Sequence, residues 1–243
     1  YDTIVQTIDN PNMYFACLNN GVWVSKECLN FTVIPEWYKV LASSGEINAI
    51  DISKDGDAIF VSVGSGGNLY RATGLKDAIY GYRFNPNIIL DGVSDGDSIY
   101  SLTSTFDRTL VGIKDTLIAA SFGRTITAIA VDENDANHVV IGLGNLYYSQ
   151  SGSSYIYEST DALSNSPTFT AINGSGMWEA PVYSLVIDVD DPSIVYAGTE
   201  FGVYATENGN GNGSSTTWEY VGPEKVPVFG MEQVDLSGNI SNI

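Results

Sequence analysis

TIDNPNMYFACLNNGVWVS (residues 7–25) and IDVDDPSIVYAGTEFGVYAT (187–206) decide the fold, because they are two copies of one unit. Set in one register without a gap, Pro11 falls on Pro192, Gly21 on Gly202, Val22 on Val203, Trp23 on Tyr204 and Ser25 on Thr206. Each copy reads as a turn rich in Asx and Pro, an apolar run, a glycine turn and a second run. Alternation at a period of two marks half-buried strands, and Asn, Asp, Pro and Gly are the residues that tight turns select. Self-similarity at a long spacing is what a repeat architecture leaves in a sequence.

A third copy is ITAIAVDENDANHVVIGLGNLYYS (126–149), with Asn134-Asp135 in the place of Asp190-Asp191 and one residue fewer near Gly144. A weaker fourth is INAIDISKDGDAIFVSVGSGGNLYR (47–71), where Asp55-Gly56-Asp57 takes the first turn and Gly66-Gly67 the next. An alternating run such as Val182–Ile187 precedes the first turn. A further strand follows the repeat after an irregular loop, opening on an aromatic residue in three copies, Phe31, Phe169 and Trp218, which recurrence marks as interior anchors. Four antiparallel strands per unit of roughly 40–50 residues, without a helical period, are the signature of a β-propeller blade.

The expectation is therefore an all-β fold, a β-propeller or propeller segment of four-stranded antiparallel blades, with about four to five blades in this chain. The 243 residues suit a single domain. Its repeats run over about 1–45, 46–125, 126–180 and 181–225, and VPVFGMEQVDL (226–236) starts a further blade. The second repeat carries an insertion in 72–125, read as an embellishment of that blade and not as an extra one.

The chain holds 29 acidic and 10 basic residues, a net charge of −19. That field repels phosphate backbones and anionic membrane surfaces, so nucleic acid is not an expected partner. It also keeps a sheet-rich surface soluble and discourages edge-to-edge pairing. No apolar run nears the ~18 residues needed to span a bilayer, and direct membrane insertion is not expected. The N-terminus YDTIVQ is neither an initiator Met nor a signal peptide, so the chain reads as a mature or excised part of a longer chain or larger assembly. Cys17 and Cys28 make neither a disulfide scaffold nor a zinc set. They fall at distant strand ends, beyond the ~7 Å Cα separation a disulfide tolerates, and are not expected to be bonded to each other.

Three segments resemble worn Asp boxes (BNR repeats), the Ser-x-Asp-x-Gly-x-Thr-Trp hairpins of sialidases, sortilin-like proteins and xyloglucan-degrading glycosidases. They are Ser159-Thr160-Asp161 before Thr168-Phe169, Thr206-Glu207-Asn208-Gly209 before Thr217-Trp218, and Ser25-Lys26-Glu27 before Phe31. The phrase VYSLVIDVDDPSIVYAGTEFGVYAT (182–206) is similar to propeller repeats of exported bacterial surface proteins, some delivered by type IX secretion. The resemblance implies a secreted or extracellular cell-surface address and a non-catalytic binding or scaffolding module. The alternative it implies is a glycoside hydrolase of xyloglucanase- or sialidase-like type, and a third reading is a purely structural spacer. In this family the carboxylate of the box folds its own hairpin, which is the role the resemblance gives Asp161 and Glu207.

Catalysis of the xyloglucanase kind needs two carboxylates about 5–9.5 Å apart, and no marker singles out such a pair here. A sialidase needs an arginine cluster, whereas the arginines are Arg71, Arg83, Arg108 and Arg124, two of them in the insertion. No catalytic residue is assigned. The first-turn acids Asp9, Asp55, Asp57, Asp132, Asp135, Asp188, Asp190 and Asp191 read as turn chemistry, with calcium as the alternative use of so many oxygens. No metal site and no cofactor are otherwise expected. His138 reads as a packing or surface residue, and GNGNG (209–213) as a mobile hairpin loop.

Binding is expected on the face carrying the loops between blades. Trp37 and Tyr38 follow the fourth strand of the first repeat, Trp178 follows that of the third, and Glu200 and Phe201 lie in a second-to-third-strand loop. Aromatic platforms there suit a glycan or the apolar anchor of a protein partner.

Overall fold

Each repeat folds into one sheet because its apolar runs alternate and its turns supply the residues that reverse the chain. In a computed structural model, which describes residues 3–18, 21–32, 34–42, 45–76, 99–102, 108–111, 114–119, 122–145 and 154–233, the first sheet pairs β1 (Thr3–Gln6), β2 (Tyr14–Leu18), β3 (Gly21–Ser25) and β4 (Tyr38–Ala42) in that order. The second pairs β5 (Ile47–Ile52), β6 (Ala58–Val63) and β7 (Asn68–Thr73). Its fourth strand comes from beyond a hairpin of β8 (Ile99–Leu102) and β9 (Arg108–Val111): β10 (Lys114–Ala119) returns to pair with β7. The hairpin attaches to the first sheet by one parallel pairing, Lys39 with Thr109. Residues 72–125 thus carry the second blade's last strand, and 77–98 lie outside the described residues.

The third sheet pairs β11 (Ile126–Val131), β12 (Val139–Leu143), β13 (Ile156–Ser159) and β14 (Thr170–Ala171), and the fourth pairs β15 (Val182–Ile187), β16 (Val195–Thr199), β17 (Gly202–Thr206) and β18 (Glu219–Gly222). Among the described residues, four sets of four antiparallel strands, the first extended by the β8–β9 hairpin, make the chain a run of β-propeller blades. It divides into two compact units, Tyr1–Ile126 and Thr127–Ile243. Among the described residues no helix is long and apolar enough to cross a membrane.

The turns obey the expected chemistry. Asp55 Oδ1 accepts the Asp57 N–H at 3.1 Å, Asp132 Oδ1 that of Asn134 at 2.8 Å, and Asp188 Oδ1 that of Asp190 at 2.9 Å. At the tip of β16 and β17, Gly202 has φ +122°, and a Cβ there would lie 2.4 Å from the Pro223 carbonyl and 2.8 Å from the Tyr220 ring. Only glycine fits.

Inward-facing residues build a core in each unit: Met13, Phe15, Val24, Ile59 and Val61 among others in the first, and Val140, Ile156, Val182, Val195 and Trp218 among others in the second. Trp218 is 3% exposed and its Nε1 donates to the Ile172 carbonyl at 2.8 Å, so it anchors as expected. Phe169 is half-buried. Phe31 departs from the expectation: it is 90% exposed. The chain turns tightly here, with the Asn30 N–H on the Glu27 carbonyl, and does not enter its strand until Tyr38, which takes the buried place instead. Trp37 and Tyr38 therefore sit at the start of the fourth strand and do not follow it.

Cys17 and Cys28 are both free thiols, the first buried and the second half-buried. The segment 226–233 forms no strand, although it lies along the fourth sheet; residues 234–236 of the expected strand are outside the described residues.

Candidate functional site

The loop from β14 to β15 is the start of the site. It is tied to the fourth blade by the Ser175 N–H on the Thr216 carbonyl (3.1 Å) and the Trp218 N–H on the Ser175 carbonyl (2.8 Å). Gly176, at φ +91°, comes so close to the Trp218 carbonyl that a Cβ would sit 2.0 Å from it. This fixed loop holds Trp178 out at 65% exposure, edge-on to Phe201 with ring centroids 5.7 Å apart.

Tyr204 of β17 and Tyr220 of β18 face each other at 5.4 Å, also edge-on; the first is buried and the second is 41% exposed. Together with Gly176, Glu224 and Lys225, these four aromatic residues line a cleft of about 660 Å³, within the usual size of small-molecule sites. Burial pushes the Tyr204 phenol up, against the opposing pull of the Trp178 backbone N–H, so the rings carry no charge at neutral pH. Lys225 stands at φ +58°, a left-handed conformation uncommon for a residue other than Gly, Asn or Asp, and its N–H donates to the Phe201 carbonyl at 3.3 Å. Local strain of this kind concentrates at ligand sites.

Of the residues expected on this face, the fold brings Trp178 and Phe201 together. Glu200 is engaged elsewhere, accepting the Tyr183 hydroxyl at 2.7 Å. Burial and that bond push the Tyr183 phenol up to about 12. Trp37 is half-buried, and Tyr38 is a core residue at 3% exposure whose hydroxyl donates to Glu36; a ring so buried offers no platform. Tyr204 and Tyr220 escaped the sequence reading, although their alternating strands VYAT and EYVG carry the signal.

Beneath the neighbouring loop lies a second arrangement that no motif announces. His138 is buried, with Nδ1 at 3.2 Å from Asp132 Oδ2 and Nε2 at 3.0 Å from Glu158 Oε1. Glu158 also accepts the backbone N–H groups of Asn210 (2.7 Å) and Gly211 (2.6 Å). The GNGNG loop, expected to be mobile, is thus held by a buried carboxylate.

Two hairpins close on a side-chain oxygen. Asp161 Oδ1 accepts the Thr168 N–H (2.8 Å) and the Ser159 hydroxyl (2.9 Å), while in the second hairpin Asn208 Oδ1, and not the expected Glu207, accepts the Thr217 N–H (2.8 Å) and the Thr206 hydroxyl (2.9 Å). The Thr168 N–H, followed by the Ser159 hydroxyl, holds the Asp161 carboxyl below the ordinary range. Among the described residues, no group of three or more His, Cys, Asp or Glu side chains is arranged to hold a metal ion.

No protein-family model and no curated protein matches the chain. Solved structures do. It is similar to an ancestral GH74 enzyme (TM-score 0.54, 17% identity, covering 91% of this chain and 24% of that one). It is also similar to the GH74 xyloglucanase from Xanthomonas campestris (TM-score 0.55, 12% identity, 89% of this chain and 30% of that one). The GH74 enzyme of Niastella koreensis gives a TM-score of 0.52 at 13% identity, over 89% of this chain and 30% of that one. At these identities the likeness is one of fold. The chain spans 24–30% of the length of these three proteins.

Proposed function

We propose that the chain is a non-catalytic binding β-propeller module of a secreted or cell-surface protein, with the cleft between Trp178 and Tyr220 as its contact for a glycan or for the apolar anchor of a protein partner. The observation that carries this reading is Trp178, held 65% exposed by a loop bonded to the fourth blade through both the N–H and the carbonyl of Ser175, and set against Phe201. Rigid aromatic rings give large contact area at small entropic cost, and the C–H face of a sugar ring stacks on them as an apolar side chain does. Glu224 and Lys225 at the rim add an acceptor and a donor of opposite charge.

The hairpins of Asp161 and Asn208 support descent from Asp-box repeats, with Asn208 in the place of the box carboxylate and Asp161 occupied in its own turn. An exported address follows from the same resemblance. The second reading, a glycoside hydrolase, is favoured by the fold shared with GH74 enzymes. Against it, Glu224 is the one carboxylate among the described residues lining the cleft, whereas hydrolysis of this kind uses two.

Titration of the chain with xyloglucan oligosaccharides, and separately with surface proteins of the producing cell, followed by tryptophan fluorescence, tests the reading. Saturable binding lost in Trp178→Ala, without release of reducing sugar, is the expected result. Sugar release abolished by Glu224→Gln would establish the hydrolase, and no binding of either class would leave the module a spacer.

A further inference from the structure

Pro181-Val182-Tyr183 and Pro227-Val228-Phe229 are the same phrase one repeat apart. The first opens β15. At Gly142 of β12, a Cβ would come within 2.6 Å of Val182 Cγ1; at Gly198, the matching position of β16, it would come within 2.9 Å of the Val228 carbonyl oxygen and 3.0 Å of Val228 Cγ1. In the third and fourth sheets alike the penultimate residue of the second strand is a glycine, and the notch it leaves is filled by the valine that opens the next segment.

The seat of 226–233 is also bonded. The Val228 N–H donates to the Thr199 carbonyl at 2.9 Å, and the Met231 N–H to Ser184 Oγ at 2.8 Å. Gln233 joins the first turn of the fourth sheet, accepting the Val189 N–H at 3.1 Å and donating to Asp188 at 3.0 Å. Between the third and fourth sheets the same place is bridged by Asn134, which donates to the Val189 carbonyl at 2.7 Å. Phe229 packs on Tyr183 with ring centroids 4.9 Å apart.

What differs is the rest of the sheet. β15 is followed by three strands that pair across from it, whereas 226–233 has no strand beside it among the described residues. Val226 and Phe229 stand 43% and 69% exposed, and a groove of about 460 Å³ stays open between Val186 and Tyr196 of the sheet and Met231 of the segment. An apolar segment left this bare reads as an interface waiting for its cover.

We propose that the face of the fourth sheet is a docking surface for a further blade of this same repeat, and that residues 226–233 are its opening strand, already in register. The occupant is an antiparallel three-strand unit of the kind that β16, β17 and β18 form beside β15. This inference concerns assembly and is independent of the ligand bound in the aromatic cleft.

The test supplies that unit. In one extended chain, the residues after Gln233 are replaced by a copy of 188–222, which then follows 226–233 as the original follows β15. In a control, the same extended chain carries Val228→Asp, which removes the side chain that fills the Gly198 notch. Hydrogen exchange of the copied strands is expected to slow about 100-fold or more in the chain that keeps Val228 and not in the control. Copied strands that exchange freely in both chains, or equally slowly in both, would overturn the proposal. In the unextended chain, Gly198→Val and Val228→Asp should each release the Val228 and Met231 amides to rapid exchange while β17 stays protected; amides that stay slow in both variants would show that the notch does not seat this segment.

Discussion

His138 Nε2 lies 3.0 Å from Glu158 Oε1, with both side chains buried, while the other ring nitrogen faces Asp132 at 3.2 Å. Two ionised carboxylates only accept, so a ring that satisfies both is doubly protonated. Glu158 in turn receives the Asn210 and Gly211 N–H groups, and the buried charge is thereby hydrogen-bonded on both sides. Such a network costs desolvation to form, yet breaking it from one side is worse, because an uncompensated charge is left behind.

His138→Ala should therefore destabilise the chain by about 3–5 kcal/mol, the usual cost of orphaning a buried ionic partner. Urea denaturation followed by tryptophan fluorescence measures it. A loss below about 0.5 kcal/mol, ordinary for a surface change, would mean that the network is not formed.

The same residues predict a pH profile. Burial lowers the His138 value, but its bonds to Glu158 and Asp132 outweigh that and raise it overall. Its stabilisation is then complete below about 6.5, the unfolded histidine value, and is lost as pH rises through the higher folded value. Burial opposes the shift at Glu158 too, and the contacts from His138, Gly211 and Asn210 still lower it. That stabilisation is present above the ordinary glutamate value and lost as pH falls through the depressed one. The melting temperature should hold a plateau in mildly acidic solution and decline on both sides. In His138→Gln the alkaline decline from this source should vanish.

Trp218→Ala should cost about 3–5 kcal/mol, as large-to-small core changes do, whereas Phe31→Ala should stay within about 0.5 kcal/mol of the parent. Equal melting shifts for the two variants would contradict the burial of one and the exposure of the other.

The cysteines should separate kinetically. Burial pushes the Cys17 thiol up to about 12, so a thiol-specific reagent at neutral pH should modify Cys28 in the native chain and reach Cys17 only on unfolding. Mass measurement after brief alkylation should find one adduct. Two adducts, or none with both sulfurs oxidised, would refute the assignment.

What the sequence revealed was local chemistry. Pro11 over Pro192, the Asp turns and the glycines at 21 and 202 each impose their geometry within a few residues, so blades and turns were legible. Phe31 misled because Phe-Thr-Val-Ile reads as a strand start, while the actual start depends on how far the loop runs before Tyr38 meets its partners. Trp178 and Phe201 were legible as neighbours because both follow from which loops share a face. Tyr220 was not, since it reaches Tyr204 through a register that shifts between Val203 and Tyr204. Glu158 stands twenty residues from His138. Their meeting follows from the pairing of Val139 with Ser159, which no spacing rule supplies.

The grip of Glu158 on Asn210 and Gly211 joins β13 of the third blade to the loop after β17 of the fourth. In a stack of repeats, global behaviour depends on how the coupling between neighbours compares with the stability of each alone. A charged clasp between two blades raises the coupling without strengthening either partner. The third and fourth blades then have little reason to melt in sequence: opening one exposes the carboxylate that the other was holding, and the pair unfolds as a single cooperative unit.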